Sequence, residues 1–286
     1  MRGGSAKPGV MPLALILSSF VAASRIGGAA QQYVLAQHRI DPVLAPTVLL
    51  GRSPAKGAEG QVTPPDVLRR MLADIEADAV FGMLDLVITG YFSSAEQVEI
   101  AAGVLERVRD AASRRPVLVV DPILGDAPGG PYVKPEVAEA IAARLVPLAD
   151  WITPNAWELS YLSGRPVGSA AEALAAAEAL GKPTLLTSAP SPPGLTGVML
   201  IDRGEAIHFT HPYSPAAPKG TGDLVTASFG AALVEGLAPA AAAEHAARAA
   251  AEIVKAGEDW GASELPIVAL GDRLVRPAAQ VRIEPL

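Results

Sequence analysis

The chain contains no cysteine, and only 4 of its 286 residues are histidine. A disulfide framework and a thiolate metal centre are therefore excluded, a composition that suits a reducing cytoplasm. Positive charge is also scarce: 23 Lys and Arg stand against 30 Asp and Glu, a formal net charge of −7. A nucleic-acid groove, whose affinity comes from Lys and Arg meeting phosphates, does not fit that balance. Small anions remain open, because backbone amides at helix ends bind phosphate without a basic surface. The apolar run Val10–Ala23 is too short to cross a bilayer. Arg2 and Lys7 ahead of it lend it the look of a secretory signal, but its core, Leu13–Leu17, reads as a buried parallel strand.

What is present is a globular composition, half apolar and 19% charged with 5% aromatic residues. The length suits one α/β domain, taken as residues 13–286, with 1–12 as a disordered tail. Short apolar runs alternate with longer helical patterns, as in βαβ units around a mainly parallel sheet. Strands are predicted at Leu13–Leu17, Pro46–Leu50, Leu84–Thr89, Val117–Val120, Trp151–Thr153 and Thr184–Thr187. Gly197–Ile201 and Ala206–Thr210 predict a hairpin around Asp202-Arg203-Gly204. Helices over Asp223–Glu235 and Pro239–Lys255 follow, and Leu265–Leu270 reads as a last strand.

The strongest chemical signal is Gly220-Thr221-Gly222-Asp223, followed at once by the apolar helix Leu224–Leu233. Glycines before a helix let the backbone approach a ligand, and the first helical amides then point at it unsatisfied. The result is an anion hole, strengthened by the helix dipole and suited to a transferred phosphoryl group. The same field favours an ionised Asp223, as a general base requires. On the tetrapeptide alone, a simple helix cap by Thr221 or Asp223 is the competing reading. Two further segments lie just past the carboxyl ends of predicted strands: Asp121-Pro122-Ile123-Leu124-Gly125-Asp126 and Thr153-Pro154-Asn155-Ala156-Trp157-Glu158. Ligands of open parallel sheets bind at that edge. Asp121, Asp126 and Glu158 are hard oxygen donors of the kind magnesium or an alkali cation accepts. Against this stand a turn role for Asp126 and an exposed helical face for Glu158.

Together these segments resemble the ribokinase-like superfamily, and within it the vitamin kinases that include the bacterial pyridoxal kinases. The resemblance runs from about Leu13 to Leu237, through Thr89-Gly90-Tyr91, Asp121–Asp126, Tyr132-Val133 with Pro135-Glu136, Thr153–Glu158, Thr187-Ser188 and Gly220–Asp223. Pro46-Thr47-Val48-Leu49-Leu50 is similar to one bacterial branch of them. The resemblance implies a three-layer α/β sandwich, with a mainly parallel sheet flanked by helices. It also implies ATP-dependent phosphorylation of the 5′-hydroxymethyl group of pyridoxal or a related vitamer, yielding pyridoxal 5′-phosphate.

On that resemblance Asp223 is the catalytic base, and the amides of Gly220, Thr221 and Gly222 receive the phosphoryl group. Asn155, Thr187 and Ser188 approach ATP. Asp121, Thr153 and Glu158 serve a monovalent cation, expected to be K⁺, with Asp126 near Mg²⁺. Ser19, Thr47, Tyr91 and Tyr132 meet the substrate. A cytoplasmic homodimer is likewise implied. Two segments depart from the pattern. Phe20 stands where the family usually has His, and the loop Gly51–Gly57 lacks the expected histidines and aromatics. Both belong to the substrate side, which predicts a slot short of one polar group. A hydroxymethylpyrimidine or other small-alcohol kinase, and a non-catalytic binder of ATP or pyridoxal phosphate, are the alternatives. His38, His208, His211 and His245 fall in none of these motifs and read as structural or solvent-facing.

Overall fold

The computed structural model describes residues 11–54 and 57–286. Most of the tail expected over residues 1–12, and Ala55 and Lys56 of the divergent loop, lie outside the described residues. In chain order the elements are β1 (Leu13–Val21), α1 (Gly27–Gln37), β2 (Asp41–Leu50), β3 (Gln61–Val62), α2 (Pro65–Ala77), β4 (Leu86–Thr89), α3 (Ala95–Ala111), β5 (Val117–Val120), β6 (Gly125–Asp126) and β7 (Gly130–Pro131). They continue with α4 (Pro135–Ala140), β8 (Trp151–Ile152), α5 (Ala156–Ser163), α6 (Ala170–Leu180), β9 (Thr184–Leu186), β10 (Leu195–Asp202), β11 (Glu205–Pro212), α7 (Thr221–Val234), α8 (Pro239–Asp259), α9 (Gly271–Val275) and β12 (Arg282–Pro285).

The main sheet runs β12-β11-β10-β9-β8-β5-β4-β1-β2-β3, and β6 and β7 form a separate small hairpin. Its centre, from β2 across to β9, is parallel; both edges are antiparallel. Strand alternation explains the layering. Ala14 and Ile16 of β1 pack into a core shared with α1, α7 and α8. Leu15 and Leu17 face the opposite core, built with α2, α3 and α4. A smaller core joins α5 and α6 to β9 and β10. A continuous apolar run is therefore what this central strand requires, and Leu13–Leu17 is a strand as predicted.

The boundaries differ from the sequence reading at two places. β2 begins at Asp41, five residues before the predicted start, and accommodates Pro42 and Pro46. Its outer neighbour β3 pairs only with Val48 and Leu49, so the prolines sit where one side of the strand is open. The last strand is Arg282–Pro285, paired with β11, and Leu265–Leu270 is not a strand. Leu265 and Ile267 are buried in the helical core, and the Ile267 amide turns back to the Leu265 carbonyl, so the apolar signal there marks burial alone.

Candidate active site

Strands β1, β4, β5, β8 and β9 run parallel and release their carboxyl ends at one edge of the sheet. There the chain places Ser19, Tyr91, Asp121, Thr153 and Thr187, and α7 starts at the same edge. Gly220 precedes α7 in the left-handed region, with φ +106, and a Cβ on it would collide with the Arg25 carbonyl. Both facts demand glycine. No side chain caps α7, so neither Thr221 nor Asp223 acts as the cap that the bland reading proposed, and the first helical amides stay open for a ligand.

Asp223 Oδ2 accepts a 2.8 Å hydrogen bond from the Gly27 amide, while its Oδ1 is buried without a partner. Burial pushes its pKa up to about 6, against the Gly27 hydrogen bond, which favours the charged form. The group still ionises below neutral pH, with one free oxygen to take a proton.

Two cavities flank the start of α7. The larger, about 670 Å³, is lined by Ser19, Tyr91, Asp126, Tyr132, Lys219 and Asp223, among others. Much of its wall is apolar: Val21, Val48 and Leu50 cluster with Ile26 and Tyr91. The smaller, about 160 Å³, takes Thr187, Ser188, Thr221 and Gly222, together with His211 and Tyr213. Gly220 and Asp223 thus face one cavity, and Thr221 and Gly222 face the other. Two ligands could meet across the first turn of this helix.

Beneath that turn lies a buried polar cluster. The Thr226 hydroxyl, one helical turn after Asp223, is 3.1 Å from Asp121 Oδ2 and 2.9 Å from Thr153 Oγ1. With one proton to give, Thr226 donates to the carboxylate and accepts from Thr153. Burial, then the charges of Glu158 and Asp223, raise the pKa of Asp121 well above the carboxylate range. Glu158 is also raised by burial, although backbone amides favour its charge. It is 3% exposed, which rejects the exposed-face reading. Its Oε1 accepts from the Leu124 amide at 2.7 Å, and its Oε2 from Asn155 at 2.8 Å. Asn155 Oδ1 in turn accepts from the Glu158 amide at 3.0 Å, and its Nδ2 donates to the Gly125 carbonyl at 2.8 Å. These two residues form a capping box that ties α5 to the loop after β5. Asn155 lines neither cavity, and the contacts it makes are those of the capping box and the Gly125 carbonyl.

Two other expectations change. Thr47 is fully buried and lines neither cavity; its hydroxyl donates to the Tyr91 carbonyl at 2.6 Å. It therefore positions the loop that carries Tyr91 instead of touching a ligand. Phe20 is half-buried and does not line the large cavity, whereas its strand neighbours Ser19 and Val21 do. Alternation of the strand turns it to the other face, so the predicted gap in the substrate slot is not there. His211 was read as structural but lines the smaller cavity.

Sequence reasoning missed Lys219, Gly27 and Thr226. Lys219 stands next to the glycine motif, and its Nζ meets Asp126 Oδ2 at 2.6 Å across the mouth of the large cavity. Burial raises Asp126, but Lys219 and the Tyr132 hydroxyl outweigh it and hold the carboxyl below its usual range. A cation adjoining a phosphate-binding motif was a readable signal. The Gly27 amide and Thr226 carried none, because their roles arise only where α1 and α7 meet the sheet.

The profile of the phosphomethylpyrimidine kinase family matches residues 32–268. A pyridoxine/pyridoxal/pyridoxamine kinase of Bordetella avium is 33% identical over 240 residues, covering 81% of each chain. A pyridoxal kinase of Leifsonia xyli is 31% identical over 75% of this chain and 78% of its own. The solved pyridoxal kinase of Leishmania donovani, in complex with ADP and pyridoxamine, superposes with a TM-score of 0.88. That match has 26% identity and covers 96% of this chain and 99% of the other.

Proposed function

The chain belongs to the phosphomethylpyrimidine kinase family, and from that membership we propose that it is a pyridoxal kinase, an ATP-dependent phosphotransferase acting on the hydroxymethyl group of B6 vitamers. The observation that carries the reading is the helix start, which presents a buried carboxylate to the large cavity and open amides to the small one. The large cavity takes the vitamer, its ring against Tyr91 and the apolar wall and its polar edge towards Ser19. The small cavity takes the nucleotide beside Thr187 and Ser188. Asp223 removes the hydroxymethyl proton as that oxygen attacks the γ-phosphorus, and ADP leaves. The amides of Gly220, Thr221 and Gly222 hold the phosphoryl oxygens in flight. Tyr132, exposed at the cavity wall with its hydroxyl on Asp126, helps to exclude water.

Asp121 and Glu158 are two buried carboxylates whose raised pKa values include mutual repulsion at Asp121, with no cationic group among the causes. That donor set, with Thr153, fits a monovalent cation such as K⁺. Among the described residues no three His, Cys, Asp or Glu side chains gather into a metal cage. This suits Mg²⁺ arriving on nucleotide phosphates near Asp126, since that ion commonly uses few protein ligands. Such cations would neutralise phosphate charge. Among the described residues no helix is long and apolar enough to cross a membrane; a cytoplasmic homodimer completes the proposal. An ATP-consumption assay over pyridoxal, pyridoxine, pyridoxamine and hydroxymethylpyrimidine, with product masses measured, tests it. Pyridoxal 5′-phosphate is the expected product from pyridoxal. Turnover of hydroxymethylpyrimidine alone, or of no alcohol, would overturn the assignment.

A further inference from the structure

The loop between β1 and α1 touches the catalytic helix twice. The Gly27 amide donates the 2.8 Å bond to Asp223 Oδ2, the only hydrogen bond of that carboxylate among the described residues. Two residues earlier, the Arg25 carbonyl packs against Gly220 so closely that no Cβ fits between them. The loop is held from its far side by a segment remote in sequence. Glu264 Oε2 accepts from the Ser24 hydroxyl at 2.5 Å and from the Arg25 amide at 3.1 Å. Ser24 is 1% exposed. Glu264 is itself anchored, because the next residue, Leu265, is buried in the core that contains Leu224 of α7. One carboxylate thus clamps residues 24 and 25, and residue 27 orients another carboxylate.

We propose that Glu264 is a positioning residue for the catalytic carboxylate, acting on Asp223 through the 24–27 loop. Glu264 touches no reacting atom. It keeps the Gly27 amide aimed at Oδ2, leaving Oδ1 free to take the substrate proton. The inference rests on the reading of Asp223 as the base. The charged groups around that base are Asp121 beneath it, Asp126 and Lys219 across the cavity, and Arg25 on the loop, whose guanidinium bonds the Ser24 carbonyl. None of these bonds Gly27; a backbone bridge from Phe20 to Gly27 fixes the end of the loop at β1, and Glu264 fixes residues 24 and 25.

The test compares Glu264→Ala and Glu264→Gln with Glu252→Ala. Glu252 is a matched control, a carboxylate that holds the Ala278 and Ala279 amides at 2.7 Å each, away from the site. Amide hydrogen exchange at Gly27 is read first, since it needs no turnover. It should quicken by about tenfold in Glu264→Ala, the worth of a hydrogen-bonded clamp, less in Glu264→Gln, and not in Glu252→Ala. Steady-state kinetics should then show kcat falling by about tenfold with the KM for ATP within about twofold, partly rescued by Gln. The acid limb of kcat/KM should also move to higher pH as Asp223 loses its amide. Should Glu264→Ala fail to fold, Ser24→Ala removes one of the two bonds and is read identically. Gly27 exchange unchanged from the parent, or quickened equally by the control, overturns the proposal. If the parent protein shows no kinase turnover, the exchange result still decides the clamp, and only the catalytic reading falls.

Discussion

The two cavities on either side of α7 are built from different materials. The proposed nucleotide side joins the open start of α7, at Thr221 and Gly222, to the short hydroxyl side chains of Thr187, Ser188, Thr196 and Ser214. The proposed acceptor side has an apolar wall gathered from β1, β2, β3 and the segment after β4, with Asp126, Lys219 and Asp223 as its charged groups. Phosphate looks alike in every substrate and is held by geometry that a tetrapeptide can encode. A small alcohol is recognised by shape, and shape needs residues from several elements. The start of α7 stands between the two, with Gly220 and Asp223 facing the large cavity and Thr221 and Gly222 the small one.

The largest effect should come from Asp223, at the boundary between them. Asp223→Asn is expected to lower kcat by about 10²- to 10⁴-fold, the usual worth of a general base, while a nucleotide titration shows ATP still bound. Near-normal kcat would reduce Asp223 to a fold-holding acceptor for Gly27. In the parent protein its pKa of about 6 sets the acid limb. Below that pH, kcat/KM should fall about tenfold per unit, and above it the profile should be flat until another group titrates.

An acceptor-side change should be smaller and confined to one substrate. Tyr91→Ala should raise the KM for pyridoxal by about two- to twelvefold, with the KM for ATP unchanged, if ring packing contributes about 0.5–1.5 kcal/mol. Equal loss for both substrates in steady-state kinetics would show that the two cavities are not separate binding sites.

Beneath the shared turn, Asp121→Asn probes charge instead of contact. The folded pKa of Asp121 lies above its unfolded value, so the folded state binds the proton more tightly. Stability from this group is then present at low pH and lost as pH rises through the folded pKa. In buffer free of K⁺ and Na⁺, the melting temperature of Asp121→Asn should exceed that of the parent at pH 8 by a few degrees and match it near pH 4. A lower value at pH 8 would mean that the charge is already compensated. The smallest effect is expected from Phe20→His. Because Phe20 faces away from the cavity, kcat/KM for pyridoxal should stay within about twofold, inside the range of a surface change. A several-fold gain would return this position to the substrate slot.

Sequence legibility followed the same division. Leu13–Leu17, Val117–Val120 and the hairpin of β10 and β11 were readable, because a buried strand needs an unbroken apolar run and Asp202-Arg203-Gly204 marks the turn. Leu265–Leu270 misled, because burial among helices and burial in a sheet select the same side chains. Glu158 illustrates the limit at the site. Its position after Thr-Pro-Asn marked it, but its three backbone partners at Leu124, Gly125 and Asn155 come from two separate loops.

The amino-acid sequence by itself determined the alternation of strands and helices, the glycine-rich helix start at Gly220–Gly222 and the acidic segments that follow β5 and β8. Each of these is encoded locally, by periodicity or by backbone freedom at particular residues. Only the tertiary structure decided that Thr47 holds Tyr91, that Phe20 turns away, that Lys219 bridges to Asp126, and that Gly27, clamped through Glu264, orients Asp223. Hydrogen-bond partners up to 240 positions apart leave no pattern along one chain. They exist because parallel strands deliver their ends to a common edge, where burial then sets the charge of each acid.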